Sequence, residues 1–438
     1  MFKFVLLALA VVPAIMAIQV AIRYQEPLLS LTLHDNSRDI ASVAFHYITN
    51  NVNHQARGVR LSDGWQYQTR DARLDGADGI TSYAVAYNAE GRVLYTSERS
   101  HLALNGNRGV AVLPGRKMRG AVIFRDDFNS LNTGNWKYEV SMFGGMNWEF
   151  QVYTPEAKNV FVRNGNLFLM PTLTVDDPRW DENFLHTGKM DVAQIWGYCT
   201  NSGNYGCVRE GQYGMLPPIM SGKITSIPTL RYGIVEVRAK IPKGDWIWPA
   251  IWMMPRDSAY GGWPRSGEID IMESRGNNGD IGVGTVSSTL HWGPAWDNNK
   301  WDLTHGERHT GSWHDNFHTW KLEWTPDHLI TFVDNQKIME VTPGANFWQK
   351  GGFSGPNIWA SGEKMAPFDK DFYMIFNVAV GGTNGFFPDN ANWGVRKPWA
   401  NNSPQAAQDF WNGRHDWQPT WQGDQAAMQI DWVEFRNL

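Results

Sequence analysis

The chain has 438 residues and a formal net charge of −5 at pH 7. A prior of about 150 residues per domain allows two or three domains, and we expect two because single β domains can exceed about 200 residues. The negative charge argues against nucleic acid or an anionic membrane as the main partner, since both attract basic surfaces. The 23 tryptophans are unusual. Because flat indole faces suit sugar rings, this composition favours sugar binding over a purely structural use of aromatic residues.

The first residues of the chain have the pattern of a targeting segment. Met1-Phe2-Lys3 is a basic start, and an apolar run follows it to Ala17. This pattern predicts a secretory signal peptide over residues 1–17, with cleavage near Ala17. The run is too short to span a bilayer, which takes about 20 residues. We therefore expect a secreted, extracellular protein without a membrane anchor.

Short stretches of alternating apolar and polar residues recur along the chain, separated by Gly, Asn, Asp and Pro. Residues 234–241 and 428–435 are examples. Alternation with a period of two predicts strands with one buried face, so the expected fold class is all-β. We expect a small immunoglobulin-like β-sandwich at residues 18–104, a Gly-rich basic linker at 105–120, and one large β domain at 121–438.

The two cysteines of the chain are Cys199 and Cys207. In a secreted chain an even number of cysteines usually forms disulfides, and the enclosed segment Thr200–Gly206 is rich in loop-forming residues. No histidine ligand pattern lies nearby, which disfavours a metal or catalytic role for this pair. We expect a disulfide that closes a surface loop.

The sharpest chemical signal is the segment Glu268–Glu273, with the sequence Glu-Ile-Asp-Ile-Met-Glu. In a regular strand Glu268 and Asp270 share one face, and Glu273 would point to the other. One extra residue near Ile271–Met272, a β-bulge, would return Glu273 to the face of the other two acids. Three clustered carboxylates repel one another at a cost in stability, so a protein keeps such an arrangement mainly for chemistry.

The alternative for this segment is an edge strand with an acidic face in water. The residues between the acids are Ile and Met, however, so the opposite face is expected to be buried. Two carboxyl groups about 5–5.5 Å apart suit a retaining glycosidase, in which one attacks the anomeric carbon and the other transfers protons. Asp270 lies between the two glutamates and can keep their pKa values apart.

From residue 122 to residue 438 the chain resembles glycoside hydrolase family 16, in particular its branch of animal laminarinases and β-1,3-glucan recognition proteins. The segments that carry the resemblance are, in family order, Trp246–Trp252, Gly267–Glu273, His291–Gly293, Phe317–Trp320, Phe376–Gly382 and Ile430–Val433. The resemblance implies a concanavalin-like β-jelly-roll of two stacked sheets, with a sugar cleft across the concave face. The bulged Glu-x-Asp-x-x-Glu pattern is the form typical of β-1,3-glucanases in this family.

Position by position, Glu268 matches the nucleophile of the family, Glu273 the acid/base and Asp270 the assisting aspartate. The resemblance therefore implies a secreted endo-β-1,3-glucanase that retains configuration through a two-glutamate covalent mechanism. The alternative is a non-catalytic β-1,3-glucan recognition protein of innate immunity, since such relatives share the layout but typically lack one or both glutamates. A structural matrix protein is a third, less favoured alternative. The presence of all three acids favours the enzyme.

The resemblance also implies contacts with the substrate. Trp248 and Trp252 match cleft tryptophans, and Trp246 would extend them, because even-numbered residues of one strand share a face and are spaced about 6–7 Å apart. Core packing is the alternative for these tryptophans. His291 matches a cleft histidine beside the acids. Polar contacts with sugar hydroxyls are expected from Asn147, Glu149 and Asn377.

The first unit resembles the N-terminal β-glucan-binding module of invertebrate glucan-recognition proteins. The likeness rests on Ser42–His46, Asn50-Asn51, Gly58 and Gly64–Tyr67. Glucan binding by this unit and a role as a spacer both stay open.

No cofactor is expected, because the acids would do the chemistry and the sequence has no His-rich ligand set. Members of the family often hold a structural calcium, for which Asp431 is a candidate ligand, although calcium takes about six or more oxygens. We expect a monomer whose partner is β-1,3-glucan, with no nucleic acid or membrane partner.

Overall fold

The structure is a computed structural model, which describes residues 19–25, 28–34, 40–49, 52–61, 64–70, 79–89, 91, 93–96, 100–103, 108–112, 121–309 and 311–438. The expected signal peptide, residues 1–17, lies outside the described residues. The chain divides into two compact units, Met1–Gly120 and Ala121–Leu438. Among the described residues, no helix has the length and apolar character that crossing a membrane requires.

The first unit is a β-sandwich. Its described strands are β1 (Gln19–Gln25), β2 (Leu28–His34), β3 (Ser42–Thr49), β4 (Val52–Arg57), β5 (Val59–Leu61), β6 (Gly64–Arg70), β7 (Gly79–Tyr87), β8 (Val93–Thr96), β9 (Ser100–Ala103) and β10 (Arg108–Val112). One sheet has the order β10-β1-β2-β6-β5 and the other the order β4-β3-β7-β8, with β9 also paired to β7. Alternate residues of both sheets form one core, as the period-two pattern predicts: Leu29, Leu31, Leu33, Val43, Phe45, Tyr47, Trp65, Ile80, Ala84 and Ala86.

Part of the segment expected as a linker belongs to this sandwich. Residues 108–112 form β10, which pairs antiparallel with β1. The backbone of this stretch, within the segment expected as a linker, is therefore held in a sheet. Residues 113–120 lie outside the described residues.

Most of the regular secondary structure of the second unit consists of strands. They are β11 (Val122–Asp126), β12 (Trp136–Tyr138), β13 (Gln151–Tyr153), β14 (Val160–Arg163), β15 (Asn166–Leu169), β16 (Thr172–Leu173), β17 (Lys189–Asp191), β18 (Val208–Glu210), β19 (Ile219–Ser221), β20 (Lys223–Leu230), β21 (Gly233–Lys240), β22 (Ile247–Pro255), β23 (Glu268–Ser274), β24 (Thr285–His291), β25 (His305–His309), β26 (His318–Trp324), β27 (Leu329–Val333), β28 (Gln336–Val341), β29 (Phe372–Val380) and β30 (Met428–Arg436).

Helices in the second unit are short. They are α1 (Glu182–Thr187), α2 (Val192–Trp196), α3 (Phe347–Lys350), α4 (Ala406–Asn412) and α5 (Arg414–Trp417). Single 3-10 turns lie at Gly144–Met146, Thr174–Asp176, Gly203–Tyr205, Gly211–Tyr213, Trp296–Asn298, Trp301–Leu303, Gln418–Thr420 and Gly423–Ala426. The prediction of an all-β fold is confirmed.

Two large sheets stack to form the expected jelly-roll. The front sheet has the order β12-β20-β29-β22-β23-β24-β25, and the back sheet has the order β14-β15-β30-β21-β26-β27-β28, with β11 also on β30. Smaller ladders join β13, β19 and β16, and join β17 to β18. The space between the large sheets is filled by the main core, which includes Val235, Val237, Ile251, Met253, Ile269, Leu290, Trp320, Leu322, Phe376, Val433 and Phe435.

A second apolar cluster lies on the other side of the front sheet. It contains Trp246, Trp248, Ala379, Val380, Phe387, Trp393, Trp399, Phe410, Trp411 and Trp417. More than half of the 23 tryptophans are buried in these cores. The tryptophan content is therefore used mainly for packing, contrary to the interpretation that it serves sugar binding, because the loops over the front sheet carry a core of their own.

Candidate functional site

The acid strand β23 lies inside the front sheet, between β22 and β24. On β24, Thr289 lies opposite Asp270 and Ser287 lies opposite Glu273, so two residues of β23 face the single Ser288. The Ser288 hydroxyl donates to the carbonyl oxygen of Ile271 at 2.7 Å. The register against β22 shifts at the same place. The predicted β-bulge is therefore confirmed at Ile271–Met272.

The bulge places all three acids on the outward face of the front sheet, which we call the acid face. Ile269, Ile271 and Met272 are fully buried and belong to the main core. Glu268 and Glu273 are half-buried, and Asp270 is buried between them. The edge-strand alternative is wrong, because the strand has paired neighbours on both sides and its opposite side faces the core.

Each glutamate accepts a hydrogen bond from an indole. Trp248 Nε1 donates to Glu273 Oε1 at 3.0 Å, and Trp263 Nε1 donates to Glu268 Oε2 at 2.7 Å. Trp263 was missed by sequence reasoning because it lies in the loop before β23, where periodicity assigns no face. Its position five residues before Glu268 is the only local signal that could have identified it.

Asp270 is held beside His291. Asp270 Oδ2 lies 3.3 Å from His291 Nε2 in a geometry outside that of a hydrogen bond, and this oxygen is buried without a partner among the described residues. Burial, and then the charges of Glu268 and Glu273, raise the pKa of the Asp270 carboxyl well above its usual range. Burial also raises the pKa of Glu273. The expected location of His291 beside the acids is confirmed.

The protonation state of His291 is decided by its second nitrogen. Burial lowers the pKa of His291, but the three acids outweigh this effect and would raise it to about 9. Asn299 Nδ2, however, lies 2.7 Å from His291 Nδ1, and the Asn299 oxygen accepts the Trp292 backbone N–H at 3.1 Å. A donor facing Nδ1 leaves no acceptor for a second proton, so the imidazole carries its proton on Nε2, toward Asp270.

This arrangement bears on metal binding. Ligand atoms of Glu268, Asp270 and His291 lie within 4.8 Å of one another, which makes them a geometric candidate for a cation. A histidine that ligates through Nε2 donates its Nδ1–H to an acceptor. Here Nδ1 faces a donor instead, so the imidazole is oriented against metal ligation.

Asp431, the candidate calcium ligand, does not fit that role. Its Oδ2 lies 2.9 Å from Arg238 Nε on the neighbouring strand of the back sheet. A guanidinium at this distance already neutralises the carboxylate and would repel a cation. The expectation of calcium at Asp431 is therefore corrected to a surface ion pair.

Two of the predicted cleft tryptophans are not available to a ligand. Trp246 precedes β22 with a φ of 68°, and it is fully buried against Phe387, Trp393 and Trp399. Trp248 does point to the acid face, but only 7% of it is exposed. The predicted row of stacking indoles is therefore wrong, because the second apolar cluster covers this end of the sheet.

Trp252 is the predicted tryptophan that stays half-exposed. Its Nε1 donates to Asn377 Oδ1 at 2.6 Å, and Lys223 Nζ lies 5.1 Å from the centre of its ring. The Asn377 amide donates in turn to the Tyr153 hydroxyl at 2.9 Å. These contacts fix the indole edge and leave ring surface on the acid face.

The remaining predicted polar residues belong to the same hydrogen-bonded chain. Glu149 accepts from Asn147 Nδ2 at 3.0 Å, from Gln151 Nε2 at 2.7 Å and from the Tyr153 hydroxyl at 3.4 Å. Glu149 and Asn377 are buried, and Asn147 is half-buried. The polar atoms of Glu149 and Asn377 are thus hydrogen-bonded to other side chains of the protein, and these two buried residues hold the acid face in place.

Cys199 and Cys207 form the expected disulfide, with 5.7 Å between their Cα atoms. The closed loop is tied to the body of the unit, because Val192 N–H donates to the Cys207 carbonyl and Met142 N–H donates to the Gly206 carbonyl.

The comparisons with known proteins agree with one another on the family of this chain. The model of glycosyl hydrolases family 16 matches residues 199–360. The chain is 46% identical over 335 residues to the β-1,3-glucan-binding protein of Penaeus monodon, covering 71% of this chain and 89% of that protein. It is 33% identical over 340 residues to β-1,3-glucan-binding protein 1 of Galleria mellonella, covering 74% and 66%. It is also 33% identical over 276 residues to glucan endo-1,3-β-glucosidase A1 of Niallia circulans, covering 60% and 34%.

These comparisons correct the functional expectation. The prediction of an endo-β-1,3-glucanase is contradicted by relatives that match more than two thirds of this chain, since those from Penaeus monodon and Galleria mellonella are named for binding. The retained acids favoured the enzyme from sequence alone. The findings favour the alternative, a recognition protein.

Proposed function

The chain belongs to glycosyl hydrolases family 16, and from this premise we propose that it is a secreted protein that binds β-1,3-glucan without cleaving it. The observation that carries the proposal is the 46% identity to the β-1,3-glucan-binding protein of Penaeus monodon over 89% of that relative. The apolar start of the chain and its disulfide support secretion.

The acid face has the chemistry that a glucan chain requires. Glu268 and Glu273 are half-buried carboxylates, which accept hydroxyl hydrogen bonds more strongly than neutral groups do. Trp252 and Trp263 are half-exposed indoles that can stack on the C–H faces of sugar rings. Under this proposal the acids act as acceptors that orient hydroxyl groups.

Binding and cleavage can be separated in one experiment on the full secreted chain. Calorimetric titration with a linear β-1,3-linked hexasaccharide is expected to show saturable binding, and a linear β-1,4-linked hexasaccharide at the same concentrations is expected to show none. Release of reducing ends from β-1,3-glucan is measured in parallel, and none is expected above a heat-denatured control. Either absent binding or sustained release of reducing ends overturns the proposal.

A matched pair of variants locates the binding face. Trp252→Ala removes a half-exposed indole under Lys223 on the acid face, and it is expected to weaken hexasaccharide binding by about tenfold. Trp432→Ala removes a half-exposed indole under Arg125 on the outer side of the back sheet. The control is expected to bind as the wild type does. Equal losses of hexasaccharide affinity in the two variants would mean that the binding site is not on the acid face.

A further inference from the structure

The indole of Trp248 lies beside Glu273 yet has no free face. It points to the acid face, and its Nε1 donates to Glu273. Phe386 lies parallel to it, with 3.8 Å between ring centres and 6° between the planes. This is the geometry in which a sugar ring would stack on an indole, so Phe386 occupies that place.

Phe386 is held from its other side by Arg275. The guanidinium carbon lies 3.8 Å from the centre of the phenyl ring, and Arg275 Nε donates to the Phe386 carbonyl at 2.7 Å. The phenyl ring therefore lies between a guanidinium and an indole. Such a three-layer stack combines cation–π and aromatic contacts, and it has no gap for a ligand.

The segment that carries Phe386 is fixed by several independent contacts. The next residue, Phe387, is 1% exposed and packs in the second apolar cluster. Thr383 N–H donates to the Asn147 carbonyl at 2.8 Å, and the Asn384 amide donates to Asn147 Oδ1 at 3.0 Å. Because these anchors do not involve the Phe386 ring, the ring can be removed without removing the anchors.

We propose that Phe386 limits the length of β-1,3-glucan that the acid face binds, by occupying the face of Trp248 on which a further sugar ring would stack. This inference rests on the proposed glucan-binding function. It makes Phe386 a residue that determines chain-length specificity. The half-exposed indoles of Trp252 and Trp263 hold the sugars on the remainder of the face.

The test compares a β-1,3-linked trisaccharide with the hexasaccharide by calorimetry on the full chain. For the wild type, the hexasaccharide is expected to bind about fourfold tighter at most, which is the statistical gain from its four overlapping trisaccharide frames. In Phe386→Ala the hexasaccharide is expected to bind a further three- to tenfold tighter, at about the strength of one aromatic stacking contact, with trisaccharide affinity unchanged.

Three further variants identify the cause of any gain. Phe386→Trp refills the place and is expected to keep the wild-type length dependence. Phe386→Ala combined with Trp248→Ala is expected to lose the gain, because the uncovered indole is then absent. Phe332→Ala removes a ring that stacks with Lys321 on the back sheet, and it is expected to change neither affinity.

The outcomes separate the two proposals. If the wild type binds neither oligosaccharide, the glucan-binding function and this inference both fail. If the wild type binds both, but Phe386→Ala shows no selective gain for the hexasaccharide, only the role of Phe386 is overturned. If Phe386→Ala does not fold, the wild type alone still tests the proposal. A wild-type affinity for the hexasaccharide that exceeds its trisaccharide affinity by far more than the statistical gain would refute the length limit.

Discussion

Replacing Asp270 by asparagine is expected to stabilise the protein. Asp270 is 3% exposed, and its Oδ2 has no hydrogen-bond partner among the described residues. A carboxylate oxygen of Glu268 lies within 4.8 Å of it. Ionisation of this side chain is therefore opposed by burial and by its neighbours, whereas asparagine has nearly the same shape and does not ionise.

The magnitude follows from these distances. With both carboxyl groups ionised, two like charges no more than 4.8 Å apart would repel by about 3.5 kcal/mol or more at an effective dielectric constant near 20. Loss of the 3.3 Å contact with His291 offsets part of this gain. We therefore expect Asp270→Asn to raise the free energy of unfolding by about 2 kcal/mol at pH 7, with a Tm about 4 °C higher.

The pH dependence of stability also tests whether Asp270→Asn stabilises the protein. Because the folded pKa of Asp270 lies above the unfolded value, the folded state binds more protons than the unfolded state between the two. The contribution of Asp270 to the stability of the protein therefore falls as pH rises above its unfolded pKa of about 3.9. The advantage of Asp270→Asn should be near zero at pH 4 and grow toward pH 7.

Calorimetric melting of both proteins from pH 4 to pH 8 measures this difference. Asp431→Asn is the control, because Asp431 is an exposed partner of Arg238 whose loss should change stability by no more than about 1 kcal/mol. A lower Tm for Asp270→Asn at pH 7, or a shift that does not vary with pH, would refute the electrostatic reasoning.

Three further substitutions test other parts of the second unit. Burial raises the pKa of Asp245 to about 6, so stability should fall as pH rises from about 4 to 6, and Asp245→Asn should abolish that part of the pH dependence of Tm. An unchanged profile would contradict this. Trp246→Ala should cost about 3–5 kcal/mol in denaturant unfolding, since the indole is fully buried, and a cost below about 1 kcal/mol would mean that it is not a core residue. Replacing Cys199 and Cys207 by serine opens a disulfide with a sequence separation of 8, which should lower the free energy of unfolding by about 2.5 kcal/mol. Equal stability of the oxidised wild type and the double variant would argue against that contribution.

Features that depend on local pattern could be predicted from the sequence. The alternation of apolar and polar residues predicts the strands, because the side chains of a strand point to its two faces in turn. The same period shows that Glu273 needs an extra residue to join Glu268 and Asp270, and the structure has this bulge. The disulfide could be predicted because the chain has two cysteines, eight positions apart.

The interpretation of the acids as catalytic shows where such reasoning ends. Glu268, Asp270 and Glu273 converge as expected, but convergence alone does not distinguish cleavage of a sugar chain from its recognition. The names of the relatives favour recognition.

The sequence by itself determined the strands, the bulge and the face on which the acids meet, because each depends on the spacing of neighbouring residues. Only the tertiary structure decided which tryptophans can reach a ligand. Trp246 is buried by aromatic residues of distant loops, Trp248 is covered by Phe386, and Trp263 reaches Glu268 from outside any strand. Exposure depends on contacts between segments far apart in the chain, which periodicity along one strand does not contain.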